Sequence, residues 1–404
     1  MTTIATGVNK LLKYKVESTW GTVPSASSSQ ALRRVTSTLN LKKQTYESNE
    51  IAPTFQRSDF RHGVRSVEGS ITGEVSPGTY KDFMAAAVRR AFTSVAAITG
   101  ASITIAGSGP SYTVTRAAGS FLTDGIKIGY MVRLTAGAFN AANLNKNLFV
   151  IAVTATVLTV LVLNSSALVA EGPIASATVT TVGKVTFVPS SGHTDLSYSI
   201  EHYHQDLVLS EVYSGCKINQ MNVQLPASGM ATLQLDFMGK DETTAGAEYF
   251  TSPIAASTSG ILAAVNGIMV SQGTAIAVLT GMNIQLAGSM TAEAVVGSNT
   301  YPDIAEGRIL VSGQATALFT DATLRDDFLN ETEVSLQIAL STSGLAAADF
   351  VTLTLPRVKF GGADKDDGDK SIAQTLPFTA LYNVNGGAGV QSEQTTLQIQ
   401  DSLA

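Results

Sequence analysis

LNLKKQTYESNEIAPTFQRSDFRHGVRSVEGSITGEVSPGTYKDFM, residues 39–84, has a counterpart later in the chain, IQLAGSMTAEAVVGSNTYPDIAEGRILVSGQATALFTDATLRDDFL, residues 284–329. Each copy predicts a strand, a polar loop of roughly twenty residues, an alternating strand and a short helix. A loop of that length inside a compact domain is typical of a functional segment. The matched positions are Leu39 with Ile284, Leu41 with Leu286, Gly63 with Gly307, Val67 with Val311, Gly69 with Gly313, and Asp82, Phe83 and Met84 with Asp327, Phe328 and Leu329.

The next strands also match, which favours a duplication over a coincidence between two β-rich stretches. TDLSYSI (194–200) corresponds to TEVSLQI (332–338), but the distance between the two copies has fallen from 245 to 138 residues, as the numbering shows. The first copy therefore contains about a hundred additional residues, enough for a small domain.

The additional segment is almost uncharged and rich in Gly, Ala, Val and Thr. Two stretches within it, FLTDGIKIGYMVRLTAG (121–137) and KNLFVIAVTATVLTVLVL (146–163), have the pattern of hairpins. We expect a small inserted β-barrel or Ig-like sandwich.

A mainly β chain with five segments follows from these patterns. Two tandem β-domains each carry one short α-helix, and the polar, small-residue-rich stretch between them is the linker. The predicted segments are an N-terminal arm (1–29), a discontinuous first domain (30–92 and 191–245), an inserted β-domain (93–190), a linker (246–261) and a second domain with a C-terminal arm (262–404).

Composition narrows the class of protein. The 404 residues are 44% hydrophobic and 14% charged, with a net charge of −6, which is a globular composition. Residues 1–90 carry 13 Lys and Arg against 7 Asp and Glu, whereas residues 191–404 carry 8 against 23. This asymmetry argues against a protein that grips nucleic acid and is compatible with self-association. The single cysteine, Cys216, excludes an intramolecular disulfide framework, and we expect no signal peptide and no membrane span.

No catalytic constellation is evident. EHYHQD (201–206) places two histidines on one strand face, but a zinc site needs three or four ligands. GGADKDDGDK (361–370) is an acidic glycine-rich segment without EF-hand spacing, and a solvated hairpin tip is favoured over a weak calcium site. Cys216 is expected to be packed rather than nucleophilic. We predict no enzyme, no metal and no cofactor.

The N-terminal pattern E-x-T-W-G-T-x-P, followed by tandem β-domains, resembles the tail tube (major tail) proteins of long-tailed bacteriophages. YSGCKINQMNVQL (213–225), LQLDFMGKD (233–241) and LPFTALYN (376–383) extend the resemblance over nearly the whole chain except the insertion. The residues of the N-terminal pattern are Glu17, Thr19, Trp20, Gly21, Thr22 and Pro24.

The resemblance implies a structural virion protein built from two β-sandwich or half-barrel tube domains. Six such domains join into a closed ring, so that three duplicated chains form a pseudo-hexamer, and stacked rings form a hollow tube that conducts phage DNA without binding it specifically. Implied partners are further copies of the chain, the tape-measure protein, the tail terminator and the distal tail or baseplate proteins. The chain is made in the bacterial cytoplasm, becomes part of the virion tail, and directs its inserted domain outward.

Two sets of residues are predicted interfaces by this resemblance. Trp20, the only tryptophan, lies on the arm either as an anchor between subunits or as a staple within its own chain, and both interpretations are open. The candidate subunit interface comprises Glu17, Thr19, Trp20, Gly21 and Pro24. The candidate loops between rings contain Lys42, Lys43, Tyr46, Glu47, Phe55, Arg57, Glu293, Tyr301 and Asp303.

Other classes of protein make different demands on the sequence. A β-rich virion decoration or receptor-binding module with an exposed insertion would form a discrete oligomer and would not need a tandem repeat. A hydrolase would need a carboxylate pair or triad in a groove. A tube inside a contractile sheath would share the tube fold and cannot be distinguished by sequence.

Overall fold

Strands dominate the computed structural model, which describes residues 4–51, 53–164, 167–276, 278–367 and 369–404. These residues form 25 strands and two short α-helices, which confirms the predicted mainly β fold class. No helix of the described residues is long and apolar enough to cross a membrane.

The first repeat is built from strands on both sides of the insertion. One short helix, α1, lies between β5 and the insertion. The elements are β1 (Lys10–Val16), β2 (Gln30–Ala31), β3 (Thr36–Ser37), β4 (Asn40–Glu47), β5 (Phe60–Glu74) and α1 (Lys81–Ala87), followed after the insertion by β13 (Tyr198–His204), β14 (Leu209–Pro226), β15 (Thr232–Gly239) and β16 (Asp241–Ala245). A further strand, β12 (Lys184–Phe187), lies within the predicted bounds of the insertion and pairs with the C-terminal strand Gln398–Asp401.

The inserted residues contain a closed six-stranded barrel with its own apolar core. Thr93 and Val185 form an antiparallel bridge, so the two ends of the insertion lie side by side. The barrel strands are β6 (Ile98–Ala106), β7 (Ser111–Arg116), β8 (Met131–Ala136), β9 (Leu148–Val153), β10 (Val157–Val162) and β11 (Glu171–Thr181).

One of the two predicted hairpins in the insertion is wrong. β9 and β10 pair as expected, but the first half of FLTDGIKIGYMVRLTAG forms turns ahead of β8. Gly125 and Gly129 have positive φ, as turns require. Phe121 and Ile126 are fully buried, but they lie in these turns and not in a strand. Apolar side chains at short intervals occur in buried turns as well as in strands, so the sequence pattern did not distinguish the two structures.

The second repeat follows the same order of elements. In both repeats a long strand, β14 or β22, runs from one group of strands into the next, with an irregularity in its pairing near its middle. The elements are β17 (Gly267–Ser271), β18 (Thr274–Ala275), β19 (Leu279–Ala287), β20 (Leu310–Leu318), α2 (Thr323–Leu329), β21 (Val334–Ser341), β22 (Phe350–Phe360), β23 (Asp364–Lys365), β24 (Ala373–Ala380) and β25 (Gln398–Asp401).

The helix of the first repeat is the centre of an aromatic cluster. Phe83, from the repeated Asp-Phe pair, is fully buried and its ring lies 4.4 Å from Tyr14, 5.1 Å from Tyr198 and 5.6 Å from Phe237, measured between centroids. Tyr14 belongs to the arm strand β1, so the arm completes the core of the first repeat. Burial of such rings is a dominant contribution to core stability.

Candidate assembly interface

The two repeats are joined by direct strand pairing. β14, at one edge of the first-repeat sheet β4–β5–β15–β14, pairs antiparallel with β19, the first strand of the second-repeat sheet β19–β20–β24–β22. Gln220 lies opposite Ala287, Val223 opposite Ile284, and the pairing continues to the end of β14. The chain therefore contains one continuous sheet in which the end of one repeat meets the beginning of the next.

Each end of this continuous sheet has an edge available for pairing. Among the described residues, β4 pairs only with β5 and β23 only with β24. Most residues of β4 are exposed, as are both residues of β23. Unpaired sheet edges are templates for adding another strand, so both ends are suited to continue the sheet.

The long loop of the second repeat folds back over the first repeat of the same chain. Its Asp303 carboxylate lies 3.2 Å from Lys217 Nζ, and Ile304 carbonyl accepts a hydrogen bond of 3.0 Å from the same nitrogen. Lys217 is only 1% exposed and has a second carboxylate, Asp195, at 2.7 Å. A buried ammonium with two carboxylates and a carbonyl has its hydrogen bonds satisfied, so the loop is held firmly.

A second ion pair holds the same loop. Arg89 donates to the carbonyls of Gly288 and Gly307, at the two ends of the loop, and its Nε lies 3.2 Å from Glu306. Burial raises the pKa of Glu306, and the Arg89 charge opposes that shift. Arg89 thus ties the loop of the second repeat to the end of helix α1 in the first.

The predicted loop residues separate into two groups. Tyr301 and Asp303 contact the first repeat of their own chain, since the Tyr301 hydroxyl lies 3.3 Å from Gln44 Nε2. The predicted residues of the first-repeat loop are exposed on the β4–β5 hairpin. There the Arg57 guanidinium lies 2.6 Å from the Glu47 carboxylate. Their role between rings remains a prediction. The exposed members are Lys42, Lys43, Tyr46, Glu47, Phe55, Arg57 and Glu293.

The arm residues hold the arm against its own first repeat. The buried Glu17 carboxylate accepts four hydrogen bonds of 2.6–2.8 Å, from Ser197 Oγ, Ser199 Oγ, Gly215 N and Gly21 N. Trp20 Nε1 donates to Gly215 O at 3.1 Å. Glu17 and Trp20 therefore bind the N–H and the C=O of one residue of β14, and we call these two residues with Gly215 the arm clamp.

The remaining arm residues also have contacts within the chain. Thr19 O accepts from Thr22 N at 3.0 Å, which closes the turn that carries Gly21, and Pro24 O accepts from Tyr249 Oη at 2.9 Å. Trp20 is half-buried, with Lys240 Nζ 4.7 Å from its ring centroid. These contacts supply the staple within the chain, and a role of the arm between subunits remains a prediction.

A family model for phage tail tube proteins matches residues 7–380, nearly the whole chain. The chain belongs to the phage tail tube protein family. No curated protein matches it. The family is structural, its members are components of the virion tail, and they assemble with themselves and with other tail proteins.

One face of the tube protein's continuous sheet is mostly polar. A row of directly opposed residues with uncharged side chains crosses six strands, from β5 to β24, and reaches Lys359 on the next strand, β22. Neighbouring rows add three acidic residues, Glu68, Glu74 and Asp236. We call this surface the polar face. The row consists of Thr72, Gln234, Asn222, Gln285, Ser312 and Thr379.

The tube protein's other reactive side chains are packed or hydrogen-bonded. His202 Nε2 lies 2.7 Å from Ser37 Oγ, and burial, with Lys10 and Arg34 nearby, lowers the pKa of His202 to about 2. Burial raises the pKa of the Cys216 thiol well above its ordinary value, so this cysteine is a poor nucleophile. Across the described residues, no three His, Cys, Asp or Glu side chains are grouped as a metal site requires.

The two cations that fasten the repeats, Lys217 and Arg89, have no clear signature in the sequence. A single cation in a strand or after a helix has no distinctive spacing. A signal did exist for one of them, since Lys217 recurs in the second repeat as Lys359, and the two lysines lie opposite the equivalent residues Met238 and Thr379.

Proposed function

We propose that three copies of this tube protein close into a ring of six repeats, and that stacked rings form the hollow tail tube. The observation that carries the proposal is the pairing of β14 with β19, which joins the edge strand of one repeat's sheet to the edge strand of the other repeat's sheet. A junction of the same kind extends the sheet from subunit to subunit. In it, β23 and the end of β22 of one chain pair with β4 of the next chain.

The two unequal ends of the sheet are compatible with closure of the ring. An interface between different surfaces repeats head to tail, and it either closes into a ring or continues as a filament. Closure pairs every exposed edge and so removes the surface that would promote aggregation. The number of three chains comes from the family resemblance, since each chain supplies two of six repeats.

The polar face of the continuous sheet is the proposed lining of the bore. Its neutral row and its acidic neighbours, Glu68, Glu74 and Asp236, offer few cations to the phosphate backbone: Lys359, opposite Thr379, is paired with Glu331, and Lys42 lies at the edge strand opposite Ser66. Because nucleic-acid binding depends on basic groups that release counterions, such a surface lets DNA slide through. Assembled tubes should therefore retain no duplex DNA at physiological salt, and strong retention would contradict this lining.

Further partners follow from the position of such a tube in the tail. The tape-measure protein would occupy the bore during assembly, and the tail terminator and distal tail or baseplate proteins would contact the end rings. The inserted barrel would face outward, away from the bore. No catalytic activity is proposed.

Negative-stain electron microscopy of the purified chain over a concentration series tests the proposal. Hollow tubes, or rings with three peripheral densities from the inserted barrels, are the expected result. A discrete compact oligomer without a bore would favour the virion decoration or receptor-binding module instead. The ring would be contradicted if the chain stays monomeric at every concentration, even after the distal tail proteins are added to initiate assembly.

A further inference from the structure

We propose that the junction between neighbouring subunits copies the β14–β19 junction residue for residue, with residues 361–367 of the acidic segment of one subunit lying along β4 of the next. This inference rests on the proposed ring and adds its register and its ion pairs. It also gives a role to an acidic segment that the sequence alone assigned to solvent.

The correspondence between the repeats follows from their paired strands. Thr72 and Thr316 are equivalent, because each lies three residues after a matched glycine of the repeat. In the first repeat, Asn222 is two strands across from Thr72. In the second repeat, Asp364 is two strands across from Thr316. Asp364 therefore corresponds to Asn222.

The opposite side of the junction is assigned in the same way. Leu41 and Leu286 lie opposite the matched valines of β5 and β20, so β4 corresponds to β19. Asn40 then corresponds to Gln285, which lies directly opposite Asn222 within the chain. One known junction thus supplies the register for the unknown one.

Transferred to neighbouring subunits, this register brings acidic and basic groups together. Asp364 lies opposite Asn40 of the next subunit, and Asp366 lies opposite Thr38. Gly362 lies opposite Lys42, which puts the Lys42 side chain diagonal to Asp364 on the same sheet face. The residues that correspond to Asp364 and Lys42 in the junction within the chain are Asn222 and Ala287, which are uncharged, so the charged pair distinguishes the contact between chains.

A second ion pair follows from the loop. Lys359 corresponds to Lys217, and Asp59 corresponds to Asp303, because both aspartates lie eight residues before the matched valines of β5 and β20. Both also have the same local geometry, with Oδ1 accepting from the next backbone N–H, at 2.8 Å in Asp59 and 2.7 Å in Asp303.

Lys359 is positioned to bind a second carboxylate. Its Nζ lies 3.3 Å from Glu331 in an exposed pair, whereas the equivalent Lys217 is buried between two carboxylates. The Asp59 carboxylate of the next subunit supplies the second carboxylate, as Asp303 does for Lys217. The first-repeat loop then folds over the neighbouring subunit as the second-repeat loop folds over its own chain.

Disulfide trapping tests the register. Asn40→Cys with Asp364→Cys should give covalent dimers and trimers in assembled tubes, because directly opposed strand residues lie within disulfide distance. Asn40→Cys with Ala363→Cys is the matched control, since a shift of one residue points the second side chain to the other face. Cys216 is fully buried and stays in both variants. Equal trapping by the two pairs, or trapping by the control alone, would overturn the register.

Charge reversal tests the ion pair. Lys359→Asp should raise the critical concentration for tube assembly about tenfold, and adding Asp59→Lys should restore most of the loss. Arg325→Glu, a reversal on the exposed helix α2, is the control and should assemble normally. If wild-type tubes form but Lys359→Asp assembles unchanged, the ion pair is wrong and the tube stands. If the wild-type chain forms neither rings nor tubes, the proposed function fails and this junction fails with it.

Discussion

Glu17 is a buried carboxylate that depends on hydrogen bonds rather than on a cation in direct contact. Its four donors all come from the chain itself, two from hydroxyls of β13 and the residue before it and two from backbone N–H groups. A buried charge without such partners would be costly, so the arm can adopt this position only when the clamp forms as a unit. Position 215 requires glycine, because its φ is +69° and a Cβ there would lie 3.1 Å from the Trp20 ring.

Replacing Glu17 with alanine should lower the free energy of unfolding by about 3 kcal/mol, because two hydroxyls and two N–H groups lose their acceptor. Urea denaturation monitored by Trp20 fluorescence measures the loss. Ser18→Ala, at an exposed neighbour, is the control and should change stability by less than about 0.5 kcal/mol. A Glu17→Ala protein as stable as the control would show that the clamp contributes nothing to folding.

Trp20→Ala separates the two roles considered for the arm. The contacts with Gly215 and Lys240 predict a loss of about 1–2 kcal/mol in stability, since a hydrogen bond, a cation–π contact and half-buried ring area disappear. If tube assembly falls only in proportion to that stability loss, the staple accounts for the residue. Assembly that fails in a protein still well folded would support the role between subunits.

Asp401 should make stability depend on pH in a direction unusual for an aspartate. Burial raises the pKa of Asp401 from its ordinary value of 3.8 to about 6, even though Gly78 N and Leu403 N donate to it at 2.8 Å. The folded state therefore binds the proton more tightly than the unfolded state. Stability from this group is fully present below pH 4 and is lost as the pH rises through about 6, by up to about 3 kcal/mol.

The variant Asp401→Asn isolates this effect, because an amide keeps an acceptor for the two N–H groups and cannot ionise. The difference in unfolding free energy between wild type and variant should change between pH 4 and pH 6.5, with the wild type losing stability relative to the variant as the pH rises. A difference that is constant over this range would contradict the raised pKa.

At the scale of elements, the two equivalent loops have different surroundings. The second-repeat loop is fastened by Lys217 and Arg89, whereas the first-repeat hairpin extends into solvent. Both loops have the same position in the repeat, so the difference comes from the part of the structure that lies next to each loop. The second-repeat loop has the first repeat next to it, and the first-repeat loop needs another subunit.

Phe55 at the tip of this hairpin is 99% exposed and should matter for assembly rather than for folding. Phe55→Ser should leave the unfolding free energy within about 0.5 kcal/mol of wild type, because the side chain has little area to lose. The same variant should shorten the stacked tubes seen by electron microscopy. Val265→Ser, at an exposed apolar residue outside the loop, is the control, and tubes of normal length from Phe55→Ser would contradict the prediction.

At the scale of the whole molecule, the inserted barrel is packed against the second repeat. Eight buried apolar residues form one cluster across this contact, with Arg133 and Asn147 of the insertion also bonding the carbonyls of Ala347 and Ala348. This packing makes the barrel part of the stability of the second repeat. The cluster contains Met131, Phe149, Ile151, Leu161 and Leu163 of the insertion and Val270, Ala339 and Phe350 of the second repeat.

Deleting the insertion should therefore destabilise the remaining chain, although the bridge between Thr93 and Val185 allows a short Gly-Gly connection. Removal of the barrel exposes Val270 and Phe350, and the lost apolar burial amounts to several kcal/mol. Denaturant unfolding of the deletion variant, compared with the full chain, measures the effect. A deletion variant of wild-type stability that assembles normally would show instead that the barrel is only an external decoration.

The sequence by itself predicted the strand-rich class, which the structure confirms, and it also predicted the duplication and the insertion, because alternation, turn residues and repeated spacing are local properties. It also singled out Glu17 and Trp20, although not what they touch. Only the tertiary structure decided that β14 pairs with β19, that Lys217 and Arg89 fasten the loop, and that the barrel shares a cluster with the second repeat. These contacts join residues 55 to 219 positions apart, and their energies depend on burial and geometry that no local pattern encodes.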